Sequence, residues 1–234
     1  MLLETLLDHP GSLDVDALAH GLVRWYDEGH LAAYGEVFDI GSVTLAALDR
    51  LKQGISAAQA GRTDEMSNGN GSLMRVLPLA LVHTDRSDEE LVAMAGAQSK
   101  VTHGHPVAQI CCATYTLVAA QLLRGEAWEP AWSHAEAVAT ATWPGHTSRV
   151  FGARDIGRGR GYVVSTLWSA KEAVERANSY EDAVLNAVAM GHDTDTTAAV
   201  AGGLAGLVFE QLPLVWVSKL ADKARAKSLI DRLA

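Results

Sequence analysis

The sequence predicts an all-α protein in which residues 1–234 form one domain, and three observations lead to that expectation. Apolar residues recur at helical spacing along nearly the whole chain, while strand-like alternation is almost absent. Helix-start residues (Asp, Ser and Pro) stand where the apolar stripes begin. The composition, 48% hydrophobic and 20% charged over 234 residues, is that of a chain with a sizeable core.

Taken in order, after Asp14 the residues Leu18, Leu22 and Trp25 mark one stripe of a helix. Leu45, Leu48 and Leu51 repeat the pattern after Ser42. Ser87 and Glu90 have capping-box spacing ahead of Leu91, Met94 and Ala95. Pro106 suits the first turn of a long apolar helix reaching Leu123, broken by Gln109, Thr114, Tyr115, Thr116 and Gln121, as a buried helix would be rather than a membrane span. Ser179 and Asp182 launch Val184, Leu185 and Val188. Ala198, Ala199, Ala201, Gly202, Gly203, Ala205 and Gly206 give a small-residue helix that neighbours can approach closely, and two helical segments close the chain. There is no repeat of 20–50 residues and no low-complexity linker.

Charge and cysteine usage narrow the function classes. Nineteen basic against 28 acidic residues give a net charge of −9, which disfavours nucleic acid as a partner. The two cysteines, Cys111 and Cys112, sit side by side in an apolar run and form no disulfide framework. No basic leader or cleavage site opens the chain, so the expected setting is the cytoplasm with no membrane partner. The sequence sets no oligomeric state.

Functional groups concentrate in Phe38–Gly41, Ser67–Ser72, Thr102–His105, Pro144–Gly161 and Gly191–Thr196, stretches whose composition is wrong for helix. Asp193 and Asp195, followed by Thr196 and Thr197, present only hard oxygens, the donors that Mg²⁺ or Mn²⁺ prefers; the same residues also suit a helix N-cap. Asp-x-Asp-x-Thr is also the nucleophile motif of haloacid-dehalogenase-like phosphatases, but the helical Ala187–Met190 before it and the few residues after it leave no room for their parallel sheet.

Ser67, Asn68, Gly69, Asn70 and Gly71 expose backbone N–H groups, and Leu73–Val76 is expected to begin a helix whose positive end faces them. That would suit phosphate, although Asn-Gly pairs also make plain turns. Arg75 suits either a phosphate or a buried ion pair. His103 and His105 stand before the long helix as ligand donors or caps. Asp39 is either an acid for water or ribose or a helix cap. At the end of the glycine-rich Gly157–Gly161 stretch, Tyr162 either stacks on a base or sugar or begins a helix.

Together these strings stand in a known order: Asn68-Gly69-Asn70-Gly71-Ser72-Leu73-Met74-Arg75, Thr102-His103-Gly104-His105-Pro106, Gly161-Tyr162-Val163, and Asp193-Thr194-Asp195-Thr196 before Ala201-Gly202-Gly203-Leu204-Ala205-Gly206. The chain resembles the ADP-ribosylglycohydrolase family, and Trp25-Tyr26 with Phe38-Asp39-Ile40-Gly41 add to the likeness. The resemblance implies an orthogonal bundle of helices around a cleft for ADP-ribose over two Mg²⁺ or Mn²⁺ ions. It implies that Asp193, Asp195 and Thr196 ligate metal and that Ser67–Gly71, His103, Gly161 and Tyr162 line the substrate site. Asp39, Asp193 and Asp195 would be the catalytic acids, acting on an ADP-ribosylated protein or small acceptor. A homologue that binds ADP-ribose without turnover is the alternative. Two departures stand out. The family's N-terminal Thr/Ser-Asp-Asp-Thr is absent, so the chain is expected to begin downstream of half of the metal site. His192 occupies a position where the family often has Gly or Asn.

Overall fold

A computed structural model describes residues 1–153, 158–209 and 211–233. Among them extended backbone pairs only as two isolated bridges, Arg62 with His103 and Gly69 with Tyr162, so the architecture is helical as expected. The first helices are α1 (Leu2–Asp8), α2 (Val15–Glu28), α3 (Ser42–Lys52) and α4 (Ala57–Ala60). Next come α5 (Pro78–Val82), α6 (Asp88–Lys100), α7 (Pro106–Leu123) and α8 (Trp128–Thr142). After α9 (Ser148–Phe151), α10 (Val163–Glu175), α11 (Tyr180–Ala189) and α12 (Thr194–Phe209) form the second half, and α13 (Leu214–Ser218) and α14 (Lys223–Ile230) close the chain.

The start signals act as their chemistry requires. Asp14 accepts from the backbone of Asp16 and Ala17 at the head of α2, and Ser87 and Glu90 form a reciprocal capping box on α6. The Ser179 side chain accepts from Asp182 N at 3.0 Å. At the other end of α2, Gly29 turns left-handed at φ 68°, with the Gly35 carbonyl lying where a Cβ would fall.

The core is built around α7, which packs on α6 and α8 and also touches α5, α10 and α12. Every residue from Val107 to Ala120 is buried, so this helix is apolar on all sides because it has no solvent face. Its length and composition would also suit a membrane span, but 78% of it is buried within the protein. Pro106 takes the first turn, and the His105 ring accepts from Val107 N at 3.2 Å. Both cysteines are free and buried here, and burial pushes both thiols up.

The small-residue helix is α12, packed on α10 and α11 and touching α7. The Tyr115 hydroxyl donates to Val200 O at 2.9 Å, which ties α7 to α12. A Cβ on Gly203 would stand 2.4 Å from that hydroxyl oxygen and 3.1 Å from Leu77.

Two expectations fail. No helix starts at Leu73: residues 71–75 form successive turns, and the next helix is the five-residue α5 beginning at Pro78. Proline has no N–H to bond back to residue 74, and its ring crowds that carbonyl, so a helix launched at Leu73 would be broken within a turn. The Pro144–Gly161 stretch, expected to be irregular, contains α9.

One prediction follows from the α7–α12 contact. Gly203→Ala adds a methyl against a buried, hydrogen-bonded tyrosine, and overpacking of this kind costs about 1–3 kcal/mol. That exceeds the ~1 kcal/mol that alanine gains over glycine in a helix. Thermal unfolding should show a lowered Tm for the variant, and a Tm equal to or above the parent would contradict the packing.

Candidate functional site

The glycine loop, the Gly161-Tyr162 strip and the acidic turn meet, although they lie far apart in the chain. Gly69 pairs antiparallel with Tyr162: Val163 N donates to Asn68 O at 2.9 Å and Asn70 N to Gly161 O at 3.2 Å. The Asn70 side-chain amide then reaches across, donating to Thr166 Oγ1 at 2.9 Å and to Asp193 Oδ2 at 2.8 Å. Asp193 N donates to Gly159 O at 2.7 Å, and a Cβ on Gly161 would sit 3.2 Å from Asp193 Oδ2. Glycine at 161 leaves the Asp193 carboxylate room beside the strip.

His103 closes the same assembly from below. Its ring lies 3.3 Å from where a Cβ on Gly69 would be and 3.0 Å from the equivalent point on Gly71. Only bare backbone fits over the imidazole. The His103 strip is itself positioned by close approach, with Gly61 N donating to Lys100 O at 2.9 Å and Gly104 N to Arg62 O at 2.9 Å. The Thr102 hydroxyl and His103 Nδ1 share a 2.8 Å hydrogen bond. Burial, and secondarily the Arg75 charge, push His103 down to about 3, so the ring is neutral at physiological pH.

Among the described residues Arg75 forms no ion pair. Its guanidinium donates to Gln98 Oε1, Gln98 O and Gly71 O at 2.9, 2.7 and 3.3 Å, and burial lowers it to about 10. It pins the Gly71 carbonyl from behind. Ser67 acts within the loop: its hydroxyl and its backbone N both donate to Asp64, each at 2.9 Å. Asn68 donates to Glu65 O at 3.1 Å, but its Oδ1 is buried and has no partner among the described residues. Such an orphaned acceptor is the kind of group that a ligand hydroxyl or N–H satisfies. The Thr197 hydroxyl, one turn beyond Asp193, is also buried and unpartnered among the described residues.

Tyr162 precedes α10 as its N-cap residue, and its ring stays half-buried at the rim. Glu65 and Arg149 pair beside it, and His105 Nε2 approaches Glu65 at 3.3 Å. His105 Nδ1 accepts from Val107 N, so Nε2 is the donor toward Glu65. Thr166, Glu65 and Arg149 were not singled out from the sequence. Of these, Thr166 carried a usable signal, because it lies one helical turn beyond Tyr162. Gly157, at the start of the glycine-rich stretch, lies outside the described residues.

The remaining residues sit less centrally. Asp39 is exposed and is not the cap of α3, a place taken by Gly41. Val43 and Thr44, in the first turn of α3, reach positions 69 and 71, so the helix that follows Asp39 packs on the loop. In the first turn of α12, Asp195 is exposed and Thr196 buried. His192 adopts φ 59° directly before Asp193, after Gly191 at φ 77°. The left-handed turn explains why Gly or Asn suits position 192, and histidine holds it at some strain.

For Mg²⁺ or Mn²⁺ the donors are right in kind: carboxylates at 193 and 195 and a hydroxyl at 196, at one helix start. Mg²⁺ keeps several waters and needs only one or two protein carboxylates. Among the described residues no group of three or more Asp, Glu, His or Cys gathers to form a closed cage.

A buried neutral histidine makes stability depend on pH. Burial holds the folded pKa of His103 well below the ordinary imidazole value of 6.5, so the unfolded chain binds the extra proton. Its contribution is whole above pH 6.5 and is lost as pH falls toward 3, with a slope of up to about 1.4 kcal/mol per pH unit. Denaturant titrations at pH 7, 6 and 5 should show a shallower acid loss for His103→Asn than for the parent. Equal slopes would mean that the ring is not held neutral.

Comparison with known proteins identifies the family. A family model described as ADP-ribosylglycohydrolase matches residues 1–234. An ADP-ribosylarginine hydrolase Tri1 from Serratia proteamaculans (strain 568) is 31% identical over 95% of this chain and 62% of its own length. Another Tri1, from Pseudomonas putida (strain GB-1), is 35% identical over 95% of this chain and 61% of its own. The ADP-ribosyl-[dinitrogen reductase] glycohydrolase of Rhodospirillum rubrum is 27% identical over 91% of this chain and 68% of its own. A solved structure titled "ADP-ribosylglycohydrolase-related protein complex" superposes with a TM-score of 0.79 at 29% identity, over 99% of this chain and 77% of that one. The chain thus spans about three-fifths of the length of the Tri1 relatives. With the family model matched from end to end and the glycine loop, His103 and Asp193 gathered at one place, the chain belongs to the ADP-ribosylglycohydrolase family.

Proposed function

We propose that this chain carries the ADP-ribose-binding core of a hydrolase that cleaves the glycosidic bond between ADP-ribose and a protein side chain or small acceptor. The observation that supports it best is the Asn70 amide, which holds the Asp193 carboxylate against the Gly69–Tyr162 backbone pair. A carboxylate, bare glycine backbone, a neutral imidazole and an orphaned Asn68 acceptor stand within one loop cluster. Relatives named as ADP-ribosylarginine hydrolases favour an arginine-linked substrate.

In this reading the 68–71 loop lies along the diphosphate and Asn68 Oδ1 accepts from a ligand hydroxyl. Tyr162 offers its ring to the sugar or base, and Asp39 approaches the ribose from the mouth. Asp193 and Asp195 orient the water that attacks the anomeric carbon, and the acceptor side chain leaves with a proton. Asn70 is a positioning residue, because it acts through Asp193. Asp193, Asp195 and Thr196 would hold Mg²⁺ or Mn²⁺. When bound, such an ion supplies Lewis-acid charge at the ribose hydroxyls and lowers the pKa of a bound water.

A second reading, a binder of ADP-ribose without turnover, is favoured by one observation: two carboxylates alone stand at this helix start, and no larger acidic or imidazole group joins them among the described residues. Calorimetric titration of ADP-ribose with and without Mg²⁺, followed by release assays on ADP-ribosylated arginine, separates the two. The hydrolase reading expects metal-strengthened binding and turnover, with Asp193→Ala and Asp195→Ala each losing activity by at least about 100-fold. Parental turnover in either variant would sink the assignment. Binding with no turnover selects the second reading, and no binding in either condition removes both.

A further inference from the structure

Behind the His103 strip lies a cavity of about 470 Å³ that none of the candidate site residues lines. Its walls carry Arg50, Arg62 and Lys100 against a single acid, Asp64, and its floor includes Gly61 and Gly104. Three cations gathered around one cavity stand out in a chain of net charge −9. The volume falls in the range of small-ligand sites, roughly 300–1,000 Å³.

The charges are oriented without being cancelled. Arg50 donates from Nε to Ala60 O at 2.8 Å and from Nη2 to Gln59 O at 2.9 Å, so carbonyls rather than a carboxylate fix its guanidinium. Lys100, the last residue of α6, is exposed and accepts the Gly61 N–H on its carbonyl. Asp64 Oδ2 already accepts from Arg62 Nε and Ser67 Oγ, each at 2.9 Å, and these bonds hold its carboxyl below the usual range, the Ser67 bond most strongly. It therefore stays ionised and offsets one of the three positive charges. The Gly61 and Gly104 amides are committed to Lys100 O and Arg62 O, which leaves the side chains as the donors.

We propose that this cavity binds a phosphate group, free or carried by a nucleotide, at a site separate from the ADP-ribose cleft. A surplus of two positive charges matches a phosphate dianion, and guanidinium forks suit its tetrahedral oxygens better than they suit a monovalent anion. Beside it lies a larger and more apolar cavity that shares Ala58 and Lys100 as walls and includes Trp143. An organic group attached to the phosphate therefore has a surface to cover.

The test is amide NMR on the full 234-residue chain with chelator present, titrating inorganic phosphate and, separately, AMP at fixed ionic strength. Saturable shifts at Gly61, Arg62 and Gly104 are expected. Lys100→Glu should weaken binding by at least about tenfold, with the milder Lys100→Gln and Arg62→Gln moving in the same direction. Lys227→Glu, on α14 beside Asp231, should bind as the parent does. Tighter binding of AMP than of phosphate assigns the phosphate to a nucleotide, and equal binding assigns it to the free ion; both support the site. The absence of saturable shifts, shifts confined to residues 68–71, or unchanged affinity in the Lys100 and Arg62 variants would overturn it. None of these readouts depends on hydrolysis, so the proposal stands or falls separately from the activity.

Discussion

The Asn70 side chain is the point at which three distant parts of the chain become one structure. Its amide nitrogen donates to Thr166 on α10 and to Asp193 ahead of α12, while its backbone nitrogen donates to Gly161. A hydrogen bond to a carboxylate is worth more than a neutral one, and a buried partner left unmatched would cost about 1–3 kcal/mol. The acidic turn is therefore oriented by a neutral amide rather than by a cation, which leaves its negative charge available.

Bare backbone is the second constraint. Gly69 and Gly71 lie over the His103 ring, Gly61 meets Gly104, and Gly161 gives way to Asp193, so five glycines set the spacing of one small region. A side chain at Gly61 or Gly104 would meet backbone and push those strips apart, and one at Gly69, Gly71 or Gly161 would crowd the His103 ring or the Asp193 carboxylate. The same economy of volume governs the core, where α12 presents glycine and alanine to Tyr115 and Tyr180. By contrast, α13 and α14 bury none of their described residues. The buried core that α7 and α12 help to build takes no residue from these two C-terminal helices.

Much of this was legible in the sequence because it rests on local chemistry. Asp14, Ser87 with Glu90, Ser179 and Pro106 mark helix starts through their own side chains or rings, and α7 and α12 announce themselves by composition. The helix expected at Leu73 does not form because Pro78, five residues downstream, breaks it. The site was legible as a set of strings but not as an arrangement. Nothing local says that Asn70 bonds to Asp193, that Ser67 turns its hydroxyl to Asp64, or that Arg75 meets carbonyls rather than an acid. Those outcomes depend on which helices pack together. His192 is an intermediate case: it was noticed as a departure, and its left-handed backbone supplies the reason.

The Asn70–Asp193 bond joins residues 123 positions apart, and that separation has a kinetic meaning. Contacts between nearby helices can form early, but closing a loop of this length carries an entropy cost that only a largely assembled core offsets. The Asn70 bonds therefore gain most once the elements that bring residues 70, 166 and 193 together have packed. A ligand held there would stabilise the whole chain in proportion to the logarithm of its concentration over Kd, acting in effect as the final element of the fold.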